Sequence, residues 1–81
     1  MWIPKLEHYS GPRYMAIADA IADAIKQGDL NHGDRLPTHR ALADTLKVTV
    51  GTITRAYAEA ERRILVNARV GRGTFIATQH A

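Results

Sequence analysis

The sequence predicts a small domain that is mainly α-helical with one β-hairpin, an α+β arrangement. Residues 36–57 contain two short stretches with helical spacing of apolar residues, separated by a tight turn. Farther along, the β-prone runs 65–70 and 74–77 flank the turn Gly71–Gly73. A preceding helical stretch brings the count to three helices plus a hairpin. This order is typical of a winged helix-turn-helix.

Length and composition exclude several classes of protein. The 81 residues have room for one domain, and the absence of cysteine excludes disulfides and thiolate zinc sites. Pro4, Lys5 and Glu7 interrupt the N-terminus, so it does not resemble a signal peptide. No apolar run approaches the roughly 18 residues of a membrane helix. We therefore expect a cytoplasmic protein with no membrane partner.

The charge is distributed unevenly along the chain. Residues 1–34 carry three basic and five acidic side chains, whereas residues 35–81 carry eight basic and three acidic ones. The positive half contains the helix-turn-helix and the hairpin. Such an asymmetry favours an anionic partner, although a solvated basic face would give the same pattern.

The chain divides into three segments. Residues 1–10 have no regular apolar period, so we expect an N-terminal arm that lies on the domain or on another molecule. Residues 11–77 form the winged helix-turn-helix, and residues 78–81 are its C-terminal end or the start of a linker. The first helix begins after Pro12 and ends at Gly28, because proline suits a helix start and glycine a helix stop.

The second and third helices each begin after a threonine cap. Thr38 precedes a helix over 39–46 whose inward face is Leu42 and Leu46, and Thr49 precedes a helix that runs to about residue 63. On the third helix an apolar stripe faces the core, and the opposite face is free to contact a partner. The stripe consists of Ile53, Ala56, Tyr57 and Ala60.

These elements predict sequence-specific binding of double-stranded DNA, with the third helix, about 49–63, in the major groove and the wing, 71–73, on the backbone or in the minor groove. Gly51 and the neighbouring threonines leave the helix end open to a phosphate. The candidate DNA-binding residues are Thr38, Arg40, Thr49, Gly51, Thr52, Thr54, Arg55, Arg69, Gly71 and Arg72.

Each arginine also has a purely structural interpretation. Arg55 is long enough to reach a guanine edge, but it could instead pair with Glu59 four residues on. Arg40 could bind a phosphate or pair with Asp44. Arg72 projects from the turn, where it could reach a phosphate, and Arg69 is a similar candidate. A winged helix can also serve as a protein interaction module that binds no specific DNA sequence, and this remains the alternative function.

The sequence shows no catalytic constellation. Its four histidines, at positions 8, 32, 39 and 80, have no metal-ligand spacing, and there is no nucleophile motif or phosphate-binding loop. We therefore expect no enzyme activity and no cofactor in this chain. RNA binding is disfavoured because Phe75 is the only aromatic residue on the predicted hairpin.

The segments 33–43, 48–57 and 71–75 together resemble the GntR superfamily of bacterial transcription regulators. Gly11–Tyr14 and Arg55–Tyr57 resemble its MocR-like subfamily. The resemblance implies a homodimeric regulator that binds operator DNA, with pyridoxal phosphate in a C-terminal domain that these 81 residues do not include. It places Phe75 in the core. It also implies DNA contacts by residues at the matching positions: Arg40, Thr49, Thr52, Thr54, Arg55 and Gly71.

Two positions depart from the family pattern. Val50 stands where many relatives have an arginine, which removes one polar contact. Ile64 stands where a glycine commonly ends the third helix. Ile64 must therefore either take the left-handed conformation, which a β-branched residue tolerates poorly, or let the helix end differently with its side chain buried, and we expect burial.

Overall fold

The computed structural model describes residues 2–77, so the predicted end segment 78–81, with His80, lies outside the described residues. Along the chain it contains a 3-10 turn Leu6–His8, α1 (Arg13–Gln27), α2 (His39–Leu46), α3 (Val50–Arg62), β1 (Val66–Arg69) and β2 (Gly73–Ile76). The two strands are antiparallel, with Val66 opposite Ile76 and Arg69 opposite Gly73. The predicted fold class, three helices plus a wing, is confirmed.

The first helix packs on the third and forms the centre of the core. Ile17 and Ile21 of α1 and Ile53 of α3 are completely buried. α1 ends at Gly28, whose φ of 85° is left-handed and whose N–H reaches the carbonyls of Ala24 and Ile25. The predicted stripe on α3 is buried throughout, so the 3.6-residue period identified the inward face correctly.

Both threonine caps form as predicted. The Thr38 hydroxyl accepts a hydrogen bond from the Ala41 N–H at 3.1 Å, and the Thr49 hydroxyl accepts one from the Thr52 N–H at 3.2 Å. On α2, Leu42 is buried while Leu46 is half-buried. The Tyr57 hydroxyl donates to the Pro37 carbonyl at 2.7 Å and thereby fixes α3 to the segment before α2.

The wing gains a third, very short strand from the segment before α2. Arg35 forms an isolated antiparallel bridge with Phe75, and the Leu36 N–H donates to the Thr74 carbonyl at 2.8 Å. Because side chains alternate along β2, Thr74 and Ile76 point into the core. The expectation that Phe75 belongs to the core is wrong, since this side chain lies on the other face and is half-buried.

The N-terminal arm lies on α1. Trp2 and Leu6 pack against the core, and Pro4 is buried. The Tyr9 hydroxyl donates to the Asp23 carboxylate at 2.5 Å, and this bond raises the pKa of Tyr9 to about 12. The sequence left open whether the arm lies on the domain or on another molecule. In the structure it lies on the domain.

The end of α3 corrects the expectation for Ile64. Its φ is 63°, in the left-handed region, and its side chain is 74% exposed. The Ile64 N–H donates to the Glu61 carbonyl and the Leu65 N–H to the Ala60 carbonyl, both at 2.9 Å. These two bonds are those of a Schellman motif, which requires a left-handed residue at position 64. Leu65, half-buried against the core, takes the apolar contact instead.

Candidate nucleic-acid interface

The N-terminal turn of α3 presents a surface of small groups. Thr49, Gly51 and Thr54 are exposed, and Thr52 is half-buried. A Cβ built on Gly51 would meet only the Thr49 hydroxyl, at 3.8 Å, so neither packing nor backbone conformation requires glycine there. Its absence of a side chain instead leaves the helix end open to a molecule that approaches from outside, at the positive end of the helix dipole.

Arg55 is exposed and stacks on an aromatic ring. Its guanidinium carbon lies 4.2 Å from the centroid of the Tyr14 ring, a cation–π contact between α3 and α1. The alternative pairing with Glu59 is absent from the described residues, because Glu59 binds Arg62 and Arg63. Stacking occupies the flat face of the guanidinium and leaves its N–H edges available for hydrogen bonds.

The pairing of Glu59 divides the arginines of residues 35–77 into two groups. Arg62 and Arg63 donate to Glu59 at 2.6 and 2.8 Å, and Arg63 also donates to Asp19 of α1 at 2.8 Å. Hydrogen bonds from these two arginines lower the pKa of Glu59 to about 2. Within the described part of the chain no carboxylate pairs with the other arginines of this region: Arg35, Arg40, Arg55, Arg69 and Arg72.

On α2, Thr38 and Arg40 lie at the N-terminal end and both are exposed. The alternative ion pair of Arg40 with Asp44 does not form among residues 2–77. Arg40 is thus an unpaired cationic side chain, among the described residues, beside the N-terminal amides of α2. That position disfavours a cation unless an anion binds there as well.

The wing brings together three arginines. Gly71 is left-handed, with φ 76°, and Arg72 beside it is exposed at the tip. The Arg69 guanidinium lies 5.7 Å from the centre of the Phe75 ring. Arg35 joins this group, since a Cβ on Gly73 would lie 2.9 Å from its Nε. Glycine at position 73 therefore leaves the space through which the Arg35 side chain crosses the wing.

Three residues at this surface were not among the candidates predicted from the sequence. These residues are Arg35, Tyr14 and His39. His39 lies edge-on to the Tyr57 ring, with centroids 4.9 Å apart, and its Nδ1 is 3.1 Å from the Thr54 hydroxyl. The spacing of Tyr14 and Arg55 could not reveal their contact, because it joins two different helices.

Other kinds of site are not found in residues 2–77. No group of three or more histidine, cysteine or acidic residues in that range could hold a metal ion. Likewise, no helix in the described part of the chain is long and apolar enough to span a membrane.

Comparison with known proteins identifies the family. The family model for bacterial regulatory proteins of the gntR family matches residues 13–76. YhcF of Bacillus subtilis, an uncharacterized HTH-type transcriptional regulator, is 46% identical over 68 residues, which are 84% of this chain and 56% of YhcF. The chain thus spans about half the length of this relative.

Two solved structures share the fold. YtrA from Sulfolobus acidocaldarius, a GntR-family transcription factor, superposes with a TM-score of 0.84 at 32% identity and covers 96% of this chain and 83% of YtrA. AraR(DBD) in complex with operator ORE1 superposes with a TM-score of 0.78 at 26% identity, over 95% and 94% of the two chains. With the family match over most of the winged helix, the chain belongs to the gntR family of bacterial regulatory proteins.

Proposed function

We propose that this chain is the sequence-specific, double-stranded DNA-binding domain of a cytoplasmic transcription regulator. One observation carries the proposal. The arginines of α2, the exposed face of α3 and the wing have no carboxylate partner among the described residues, whereas the two arginines at the end of α3 are neutralised. Unpaired arginines beside two helix N-termini form a surface suited to a phosphate backbone.

The roles of the arginines differ in this proposal. Arg55 lies one turn inside α3, so it reads a base edge in the major groove when the N-terminus of α3 enters it. Arg72 lies at the tip of the wing and binds backbone without reading sequence. Arg40 binds a phosphate at the start of α2. The likeness to AraR(DBD), which was solved in complex with an operator, supports the binding of DNA by this fold.

The test starts by selecting preferred duplexes from a random library with the 81-residue chain. Arg55→Ala then lowers affinity for the selected duplex by about 5- to 150-fold, the equivalent of about 1–3 kcal/mol, and flattens the preference over random duplex. Arg72→Ala weakens selected and random duplexes alike. Arg62→Ala is the matched control. Arg62 is also an exposed arginine of α3, but it is paired with Glu59, so its substitution leaves DNA binding unchanged. Equal losses on both duplexes for Arg55→Ala would contradict its role in reading bases.

We also infer that the intact regulator is a homodimer of the MocR-like subfamily, which holds pyridoxal phosphate outside this chain. The support is the pair of motifs Gly11–Tyr14 and Arg55–Tyr57, whose residues Tyr14 and Arg55 stack on each other. The intact protein should then be several times longer than this chain and purify with pyridoxal phosphate, detected by its absorbance. An intact protein only about twice as long as this chain, similar to YhcF, of which the match covers 56%, would contradict membership of the MocR-like subfamily.

A further inference from the structure

Val50 is a large apolar side chain in an unusual place. It is the first residue of α3, and it is 46% exposed. It does not belong to the hydrophobic core or to the partly buried residues packed against the core. Its neighbour Gly51 has no side chain to cover it. The packing of the domain therefore does not account for a valine at this position.

The polar groups around Val50 are already engaged within the protein. The Thr49 hydroxyl accepts from the Thr52 N–H and lies 3.0 Å from the Thr52 hydroxyl. The Thr54 hydroxyl donates to the Val50 carbonyl at 3.1 Å. Beside these hydroxyls, each of which has a partner within the protein, Val50 is the exposed apolar side chain at this end of α3.

We propose that Val50 determines part of the DNA sequence preference by contacting the C5-methyl group of a thymine. In the major groove thymine is the base that presents an apolar group, and aliphatic side chains contact it there. Thymine is thus the chemical complement of an exposed valine on a helix that enters this groove. The inference rests on the proposed function, because it needs the N-terminal turn of α3 to lie in the major groove.

The experiment uses the duplex selected above and the 81-residue chain. Each thymine is replaced in turn by deoxyuridine, which lacks only the methyl group, and the dissociation constant is measured. One replacement lowers affinity about fourfold, the factor that corresponds to burying one methyl-sized group. The other replacements leave affinity within the error of the measurement.

Variants identify the side chain that contacts this methyl group. Val50→Ala binds the thymine duplex about fourfold more weakly and no longer distinguishes it from the uracil duplex. Val70→Ala is the matched control, since Val70 is a fully exposed valine in the wing loop and its loss preserves the fourfold discrimination. If Val50→Ala fails to fold, Val50→Thr takes its place in the experiment. Threonine keeps the shape of valine and one methyl group, so this variant retains a reduced discrimination between the thymine and uracil duplexes.

The proposal is overturned if all uracil duplexes bind like the parent, if Val50→Ala stays fourfold sensitive, or if the selected sequence contains no thymine. Each of these results leaves selective duplex binding intact. Failure of the proposed function gives a different result, the absence of any preferred duplex, and the inference about Val50 then fails with it.

Discussion

Replacing Ile64 by glycine should stabilise the domain by up to about 1 kcal/mol. Ile64 has a φ of 63°, a conformation that costs a β-branched residue up to about 2 kcal/mol. Glycine removes this strain, but its greater freedom in the unfolded chain costs about 0.4–1 kcal/mol. The side chain is 74% exposed, so the substitution gives up only about a quarter of its possible burial. Full burial of such a side chain contributes about 1.5–3 kcal/mol, so this loss costs about 0.4–0.8 kcal/mol.

Urea denaturation followed by circular dichroism measures this difference. The Ile64→Gly variant should have a higher urea midpoint at an unchanged m-value, and its melting temperature should rise by up to about 8 °C. Ile64→Ala is the matched control, because alanine loses the same contact and keeps a Cβ in the left-handed conformation. The reasoning is refuted if the glycine variant is less stable than the alanine variant or the wild type.

Three further predictions concern the interface and its support. Gly51→Ala should raise stability by up to about 1 kcal/mol through helix propensity while weakening DNA binding, and unchanged affinity would show that the DNA does not approach this helix end closely. In the Glu59→Gln variant, the free energy of unfolding should lack a dependence on pH that the wild type shows. The Glu59 pKa is about 2 in the folded protein against its ordinary value of 4.5, so this carboxylate stabilises above pH 4.5 and its contribution disappears as the pH falls to about 2. Unfolding midpoints that change equally with pH in both proteins would contradict this. Tyr14→Leu should lower affinity for the selected duplex about two- to fivefold, because the stacking that orients Arg55 is worth about 0.5–1 kcal/mol, while Tyr14→Phe preserves it. Tighter binding by Tyr14→Leu would mean that the stack holds Arg55 away from DNA.

Local chemistry made much of the fold predictable from sequence. Thr38 and Thr49 cap the helices that follow them because a hydroxyl satisfies N–H groups two or three residues on, whatever the rest of the chain does. Helical periodicity likewise identified the buried stripe of α3. The exposure of Arg40, Arg55 and Arg72 was predictable for the same reason, because their positions on a helix or turn determine it.

Contacts between distant segments were not predictable in the same way. The arm has no period, so the sequence could not show that Trp2 and Leu6 pack on the core. The crossing of Arg35 over Gly73 joins two segments far apart in the sequence. Ile64 was predicted wrongly because burial and strain have similar magnitudes there, and the packing of Leu65 decided between them.

The salt dependence of duplex binding tests most directly whether this surface binds a phosphate backbone. Each phosphate neutralised by a lysine or arginine releases condensed counterions, so the slope of log K against log salt counts the contacts. With about five phosphates bound by the unpaired arginines and helix ends, we expect a slope of about −4 to −5 for the 81-residue chain. A slope near zero between low and moderate salt would contradict it.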